Sequence, residues 1–306
     1  MAAVVTLTGM GELSPLPEGP LMAQSMPTPA PTPPSAAVTV TLRTGALMPQ
    51  LGLGVYRAGS GEPTRRAVRD ALAAGYRHID TASVYGNEKD VGHAVRRSDV
   101  PRSQIFITTK LWNADQGFAS VLRAFDSSIA ELGLDYVDLY LIHWPVVERW
   151  RDSWRALERL HEERRARAIG VSNFMVRHLE QLAAEAKVLP AVNQIEVSPF
   201  LQQREVRTWC AGHAVVVAAY SPLTKGARLG HPVVVEIARR TGRSPAQILL
   251  RWGVQQGLVV LPKSTRSERI RENAAIFDFK LAAQDMAQLN GLEQGLVTGW
   301  DPRNAP

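Results

Sequence analysis

The chain has 306 residues, 45% of them hydrophobic and 21% charged, with a formal charge of +6 and a single cysteine. Such a composition suits one large globular domain or two small ones. It excludes a membrane-spanning helix, which needs about 18 uninterrupted apolar residues. A dedicated nucleic-acid surface is excluded too, because no basic stretch is interleaved with aromatics, and the lone Cys210 excludes an intrachain disulfide or a cysteine-based zinc cluster. One thiol fits a reducing, cytoplasmic compartment.

Residues 1–36 hold eight of the twenty prolines and no Lys or Arg. Such a segment cannot offset its ordering entropy by burial. It is predicted to be a disordered Pro/Ala-rich arm, or the product of a start codon placed too far upstream, with Met22 and Met26 as later candidates. It lacks the positive start and long apolar core of a secretory signal. Residues 37–306 are predicted to form one domain.

From Val38 the pattern changes. VTVTL, RTG and ALMPQ read as a hairpin around a Gly-containing turn, and LGLGVY as a short strand. Then helices and strands alternate: RRAVRDALAAG, with Pro63 near its start, before YRHID; EKDVGHAVRRS before QIFITTK; FASVLRAFDSSIAELG before YVDLYLIHW. The series continues with WRDSWRALERLHEERRA and RAIGVS, MVRHLEQLAAEAK and PAVNQIEV, REVRTWCAGH and AVVVAAYS. Two helices, VVVEIARRTG and PAQILLRWGVQQG, precede the last strand, LVVLPKS. SERIRENAAIF and AAQDMAQLNGL close the chain as helices. Eight strands alternating with helices imply a parallel sheet. That number over roughly 250 residues predicts an α/β fold of the closed (β/α)8 TIM-barrel type rather than an open sheet.

In such barrels the chemistry lies at the C-terminal rim of the strands. The strand ends here carry Gly54, Val55 and Tyr56; Asp80; Lys110 and Trp112; His143; Ser172 and Asn173; Gln194; Tyr220 and Ser221; and Lys263 with Ser264. Asp80, Tyr85, Lys110 and His143 are four titratable groups near three neighbouring strand ends, a concentration typical of a functional site rather than of a structural ion pair. A tyrosine with an ordinary pKa near 10 is a poor acid, and bringing it to about 7 takes roughly 4 kcal/mol. Lys110 is the candidate to stabilise its phenolate, and Asp80 the counter-charge for a buried Lys110. His143 is placed to orient a substrate oxygen. Such a set suits proton delivery to a carbonyl oxygen while another group attacks the carbon. It holds no obvious nucleophile and no metal-ligand spacing, since His78 and His143 stand on separate strands.

A reduction needs a hydride donor, yet no GxGxxG fingerprint follows a strand. Barrels often hold phosphate at the loops after strands seven and eight. Here the last loop offers Lys263, Ser264, Arg266 and Arg269, which suit a phosphate monoester such as the 2′-phosphate of NADP. By composition they read equally well as a solvated basic loop. Tyr220 is similarly open: a stacking platform for a nicotinamide ring or a core tyrosine.

GYRHIDTASVYGNE, TTKLWN, LGLDYVDLYLIHWP, AIGVSNF, PAVNQIE, AYSPL and PKSTRSERIREN together carry a resemblance. Over residues 38–303 the chain resembles the aldo-keto reductases, most closely the bacterial branch that includes the 2,5-diketo-D-gluconate reductases. The resemblance implies a barrel whose bottom is capped by the hairpin, and NADPH-dependent reduction of aldehydes and ketones by a soluble monomer. It places Asp80, Tyr85, Lys110 and His143 in the family's catalytic tetrad, with Tyr85 as proton donor. It assigns Ser172, Asn173 and Gln194 to the carboxamide, Tyr220 to nicotinamide stacking, and Ser221 and Leu223 to the pyrophosphate loop. Gly54, Val55, Lys225, Thr265 and Arg266 join the cofactor set. Lys263, Ser264 and Arg269 fall at the 2′-phosphate contacts, Glu272 and Asn273 at the adenine. Tyr56, Trp112 and His143 would line the substrate pocket.

Two positions depart from the family pattern. Ser198 stands where histidine is usual, and Thr224-Lys225 replaces a Gly-containing pair, where Lys225 would add a cation. A short loop after HWP and a brief tail after Trp300 predict a shallow, open pocket and broad specificity for small carbonyls. Two other readings compete. One is an NADPH-binding regulatory barrel with little turnover. The other is an isomerase or lyase of phosphorylated sugars, with Lys110 as base and Lys263 on the substrate phosphate.

Overall fold

A computed structural model of the chain describes residues 1–3 and 38–304. The expected disordered arm, and the boundary at residue 37, therefore lie outside the described residues. The hairpin is present as β1 (Thr39–Thr41) and β2 (Leu47–Pro49), paired antiparallel with Val40 opposite Met48. Its turn uses Gly45 at φ 81°, a conformation that a side chain would disfavour.

Eight parallel strands follow: β3 (Leu53–Gly54), β4 (His78–Asp80), β5 (Phe106–Leu111), β6 (Val137–Ile142), β7 (Ala166–Ser172), β8 (Val192–Glu196), β9 (Val216–Tyr220) and β10 (Val259–Leu261). Each pairs with its sequence neighbour from β3 through β10. The two ends of the sheet then meet. Leu51 bridges Val260 in parallel, Gly52 N donates to Val260 O at 3.0 Å, and Gly54 N donates to Pro262 O at 3.0 Å. The sheet is therefore a barrel, as the alternation predicted. β3 is shorter than the six-residue strand that LGLGVY suggested, because the chain turns away at Arg57, which has φ 55°.

Eight helices connect the strands: α1 (Glu62–Ala73), α2 (Glu88–Arg96), α3 (Phe118–Leu132), α4 (Trp150–Glu162), α5 (Val176–Glu185), α6 (Arg204–Gly212), α7 (Pro232–Thr241) and α8 (Pro245–Gln255). α9 (Ser267–Ala274) and α10 (Ala283–Asn290) follow the last strand. α4 stops at Glu162, four residues earlier than its pattern implied, because Arg164 takes φ 59° and redirects the chain into β7.

Two apolar layers result from the two-residue period of the strands. Ile79, Ile107, Tyr140, Ile142, Ile169, Val171, Ile195, Val217 and Val260 face outward and pack under the helices. The alternate residues, Phe106, Leu139, Leu141, Ala168, Val192, Ala218, Val259 and Leu261, fill the interior with Leu42 and Met48 of the hairpin, which plugs the N-terminal end. Continuing the inward series along each strand, by four residues from Phe106 and by two from Leu141, Val192, Ala218 and Leu261, gives Lys110, His143, Gln194, Tyr220 and Lys263. The same parity that builds the core thus delivers the polar residues to the C-terminal mouth.

Candidate active site

Lys110 is wholly buried on β5, and its ammonium needs compensation there. Its Nζ donates to Asp80 Oδ1 at 2.6 Å, to the Thr81 carbonyl at 2.8 Å, and to the Tyr85 hydroxyl at 3.5 Å. The other Asp80 oxygen accepts from Gln194 Nε2 at 2.7 Å, which ties β4 to β8 across the mouth. The tetrad members from the sequence thus converge. Gln194, expected among the cofactor contacts, here braces Asp80.

Tyr85 lies on a single helical turn, Ser83–Tyr85, that ends at Gly86 in the left-handed region, φ 65°. Asn87 locks this loop. It accepts from Thr81 Oγ1 at 2.9 Å and donates to the Val55 carbonyl at 2.9 Å. Val55 is itself fully buried, and its amide donates to Asp80 O at 3.0 Å, so it reaches the site through its backbone. Thr81 and Asn87 were missed in the sequence. Both lie inside the conspicuous HIDTASVYGNE stretch, but besides each other they engage the Val55 carbonyl and Lys110, which are distant in the chain, so spacing gave no sign of them.

The electrostatics differ from expectation at Tyr85. Burial pushes the phenol well above its ordinary value, and the charges of Asp80 and Tyr56 push the same way. A phenol near neutrality is not what the fold makes: Asp80 sits closer to Lys110 than Tyr85 does and cancels much of its field. Burial lowers Lys110, with Asp80 opposing. Burial, then the Lys110 charge, holds His143 well below the usual histidine range, so its imidazole is neutral.

An aromatic wall surrounds the pair. The Tyr56 ring lies 5.0 Å from that of Tyr85, and His143 meets Tyr85 edge-on at 5.8 Å and Trp112 at 5.3 Å. Trp144 and Trp300 pack edge to face at 5.8 Å. Tyr56 is 49% exposed and Trp300 73%, which agrees with the open mouth expected from the short loops.

Beside this lies a second polar group. Ser172 Oγ donates to the Gln194 carbonyl at 2.8 Å, Asn173 Nδ2 to the His143 carbonyl at 3.0 Å, and Tyr220 OH to Asn173 Oδ1 at 2.9 Å. Asn173 holds φ 63° and Ser221 φ 47°, both in the left-handed region. Leu223 is half-buried against the outer core. Lys225, expected to face a pyrophosphate, instead donates to the carbonyl of Thr298 in the C-terminal segment.

At β10 the chain passes through Lys263–Arg266 into the N-terminus of α9. Lys263, Arg266 and Arg269 are exposed, and their side chains have no ion-pair partner among the described residues. Ser264 is buried and accepts from the Arg266 amide at 3.1 Å. Thr265 is half-exposed beside it, Glu272 is half-buried, and Asn273 is buried on α9. Unpaired cations over a helix N-terminus form a ready anion site.

A protein-family model described as "Aldo/keto reductase family" matches residues 50–294. A 9,11-endoperoxide prostaglandin H2 reductase of Trypanosoma cruzi is 49% identical over 268 residues, 87% of this chain and 95% of that protein. A glyoxal reductase of Bacillus subtilis is 46% identical over 88% of this chain and 98% of its own length. In structure, an aldo/keto reductase from Brucella melitensis superposes with a TM-score of 0.81 at 48% identity, covering 84% of this chain and all of that one.

Proposed function

The chain belongs to the aldo/keto reductase family and is an oxidoreductase, and from that premise we propose that it reduces small aldehydes, ketones and dicarbonyls to alcohols, with NADPH as cofactor and Tyr85 as proton donor. One observation carries the reading: the buried Asp80–Lys110 pair, 2.6 Å apart, standing behind a phenol that opens onto an aromatic mouth.

The roles follow from the chemistry of each group. Tyr85 stays protonated at neutral pH, so the acid is loaded when a carbonyl arrives. Neutral His143 donates a hydrogen bond that holds the substrate oxygen against the phenol. As the oxygen gains negative charge, the Tyr85 proton passes to it. The developing phenolate is then stabilised by the Lys110 ammonium at 3.5 Å. Asp80 keeps that ammonium charged inside the barrel, and Gln194 and Thr81 O hold the pair in place. Tyr56 and Trp112 shelter the carbon from water.

The unpaired cations fit a nicotinamide dinucleotide carrying a 2′-phosphate. Lys263, Ser264, Thr265, Arg266 and Arg269 would hold that phosphate at the start of α9, with Glu272 and Asn273 on the adenine. Ser221, Leu223 and the backbone of Gly54 and Val55 would flank the pyrophosphate. Ser172, Asn173, Gln194 and Tyr220 would seat the nicotinamide, which when bound supplies the hydride. Glyoxal reductase among the relatives supports small dicarbonyls as the substrate class. The reading further places the enzyme in the cytoplasm as a monomer.

The test is NADPH oxidation with methylglyoxal, run beside Tyr85→Phe. Loss of general acid catalysis should lower kcat about 10²- to 10⁴-fold while fluorescence titration shows NADPH still bound. Undiminished turnover by Tyr85→Phe would assign the proton elsewhere. NADPH binding without turnover by the native chain would favour a regulatory barrel.

A further inference from the structure

Glu196 is the last residue of β8, is 2% exposed, and plays no part in the chemistry described above. A buried carboxylate requires donors, and all of its hydrogen-bond donors come from one place. The Thr298 amide lies 3.0 and 3.2 Å from its two oxygens, and the Thr298 hydroxyl donates to it as well. Lys225, from the loop after β9, donates to the Thr298 carbonyl and adds a nearby positive charge. Upstream, the Gln294 and Leu296 amides both donate to the Phe200 carbonyl, at 3.1 and 3.0 Å. Residues 294–298 are thus tied down by a short ladder that ends on Glu196. Two residues beyond its last rung stands Trp300, against Trp144 at the mouth.

We infer that Glu196, with Lys225, is the positioning group that fixes the C-terminal strap, and through it Trp300, as a wall of the substrate pocket. The inference rests on the proposed reductase activity, because it assigns a function to that pocket's rim. Glu196 touches neither substrate nor reacting atoms; it acts through the strap. The loop after β9 joins the same strap residue from the other side, through the Lys225–Thr298 carbonyl bond. A bulky aromatic carbonyl, which reaches the rim and buries more area there, depends most on the Trp300 wall, and a small one least.

Hydrogen–deuterium exchange and kinetics test the inference together. In Glu196→Gln the amides of Gln294, Leu296 and Thr298 should exchange at least tenfold faster, with the barrel strands unchanged. KM for a naphthaldehyde should rise several-fold at constant kcat, and KM for methylglyoxal should change little. Trp300→Ala should reproduce the KM pattern, and the double variant should be no worse than either single one, as expected when both residues act through one element. Thr298→Val removes the hydroxyl donor from the strap side without touching the barrel, and should move exchange and KM the same way. Unchanged strap exchange in both Glu196→Gln and Thr298→Val overturns the inference, and so does an additive double variant or a fall in kcat alone. A native chain inactive on every carbonyl would sink the reductase reading, while the exchange data would still report on the strap.

Discussion

At the residue scale, the barrel interior sets the ionisation of the groups it encloses. His78 shows this most simply. It is fully buried on β4, its Nε2 is 3.0 Å from Thr108 Oγ1, and its Nδ1 has no partner among the described residues. Burial is the main cause that pulls its pKa down to about 4, with Lys110 assisting and Asp80 opposing. A lowered folded pKa means that the unfolded chain takes up the proton first. The contribution is therefore complete above about 6.5 and is lost as pH falls towards about 4, up to about 3 kcal/mol. The buried carboxyls of Glu88, Asp138 and Glu196 are pushed up by burial, and so favour the folded state as they protonate. The measurement is accordingly a difference. Urea melts of the native chain and of His78→Gln between pH 7 and 4 should show the native chain losing stability relative to the variant. Parallel curves would mean that His78 is not the group titrating.

At the element scale, the helices are placed by close backbone approaches as well as by apolar faces. α2 buries Val91, Ala94 and Val95, and α3 buries Val121, Phe125, Ser128 and Leu132. Between them stands Gly92: a Cβ there would lie 1.8 Å from the Leu132 carbonyl oxygen. The helix cannot accept a methyl without moving away from α3, and overpacking of this kind costs about 1–3 kcal/mol. Gly92→Ala, which on helix propensity alone would stabilise α2, is therefore expected to lower the thermal midpoint. A raised midpoint would show that α2 shifts freely. The displacement would also reach the site, since Glu88 on α2 accepts from Thr109, the neighbour of Lys110.

At the scale of the whole molecule, eight parallel strands bring residues from Asp80 to Lys263 to one rim, and the chain carries a formal charge of +6. Three cations at the start of α9, without ion-pair partners among the described residues, make the proposed cofactor site a local concentration of positive charge. An anion bound there is attracted at long range and screened by salt, with a Debye length of about 10 Å at 0.1 M. Raising NaCl from about 0.05 to 0.5 M should therefore increase KM for NADPH several-fold, and KM for NADH, which lacks the 2′-phosphate, much less. Equal slopes for the two would remove Lys263, Arg266 and Arg269 from phosphate recognition.

The sequence alone settled a good deal. Strand–helix alternation gave the barrel, since only residues near in the chain are needed to set period and turn. The position of polar residues just past apolar strands gave Asp80, Lys110, His143 and Gln194, since strand parity is local too. It also named Tyr85, because a phenol beside a strand end is visible in the spacing. Local pattern cannot report distance across the barrel, and what depended on such distances was decided by the fold. Closure of β3 on β10, the 2.6 Å approach of Lys110 to Asp80, the bracing of Asp80 by Gln194, and the bond from Asn87 to the Val55 carbonyl all join residues far apart in the chain. The same holds for Lys225 and Glu196, which the fold turns towards the C-terminal strap. The protonation of Tyr85 was decided there as well, because the field at a buried phenol is a sum over neighbours that only the packed barrel assembles.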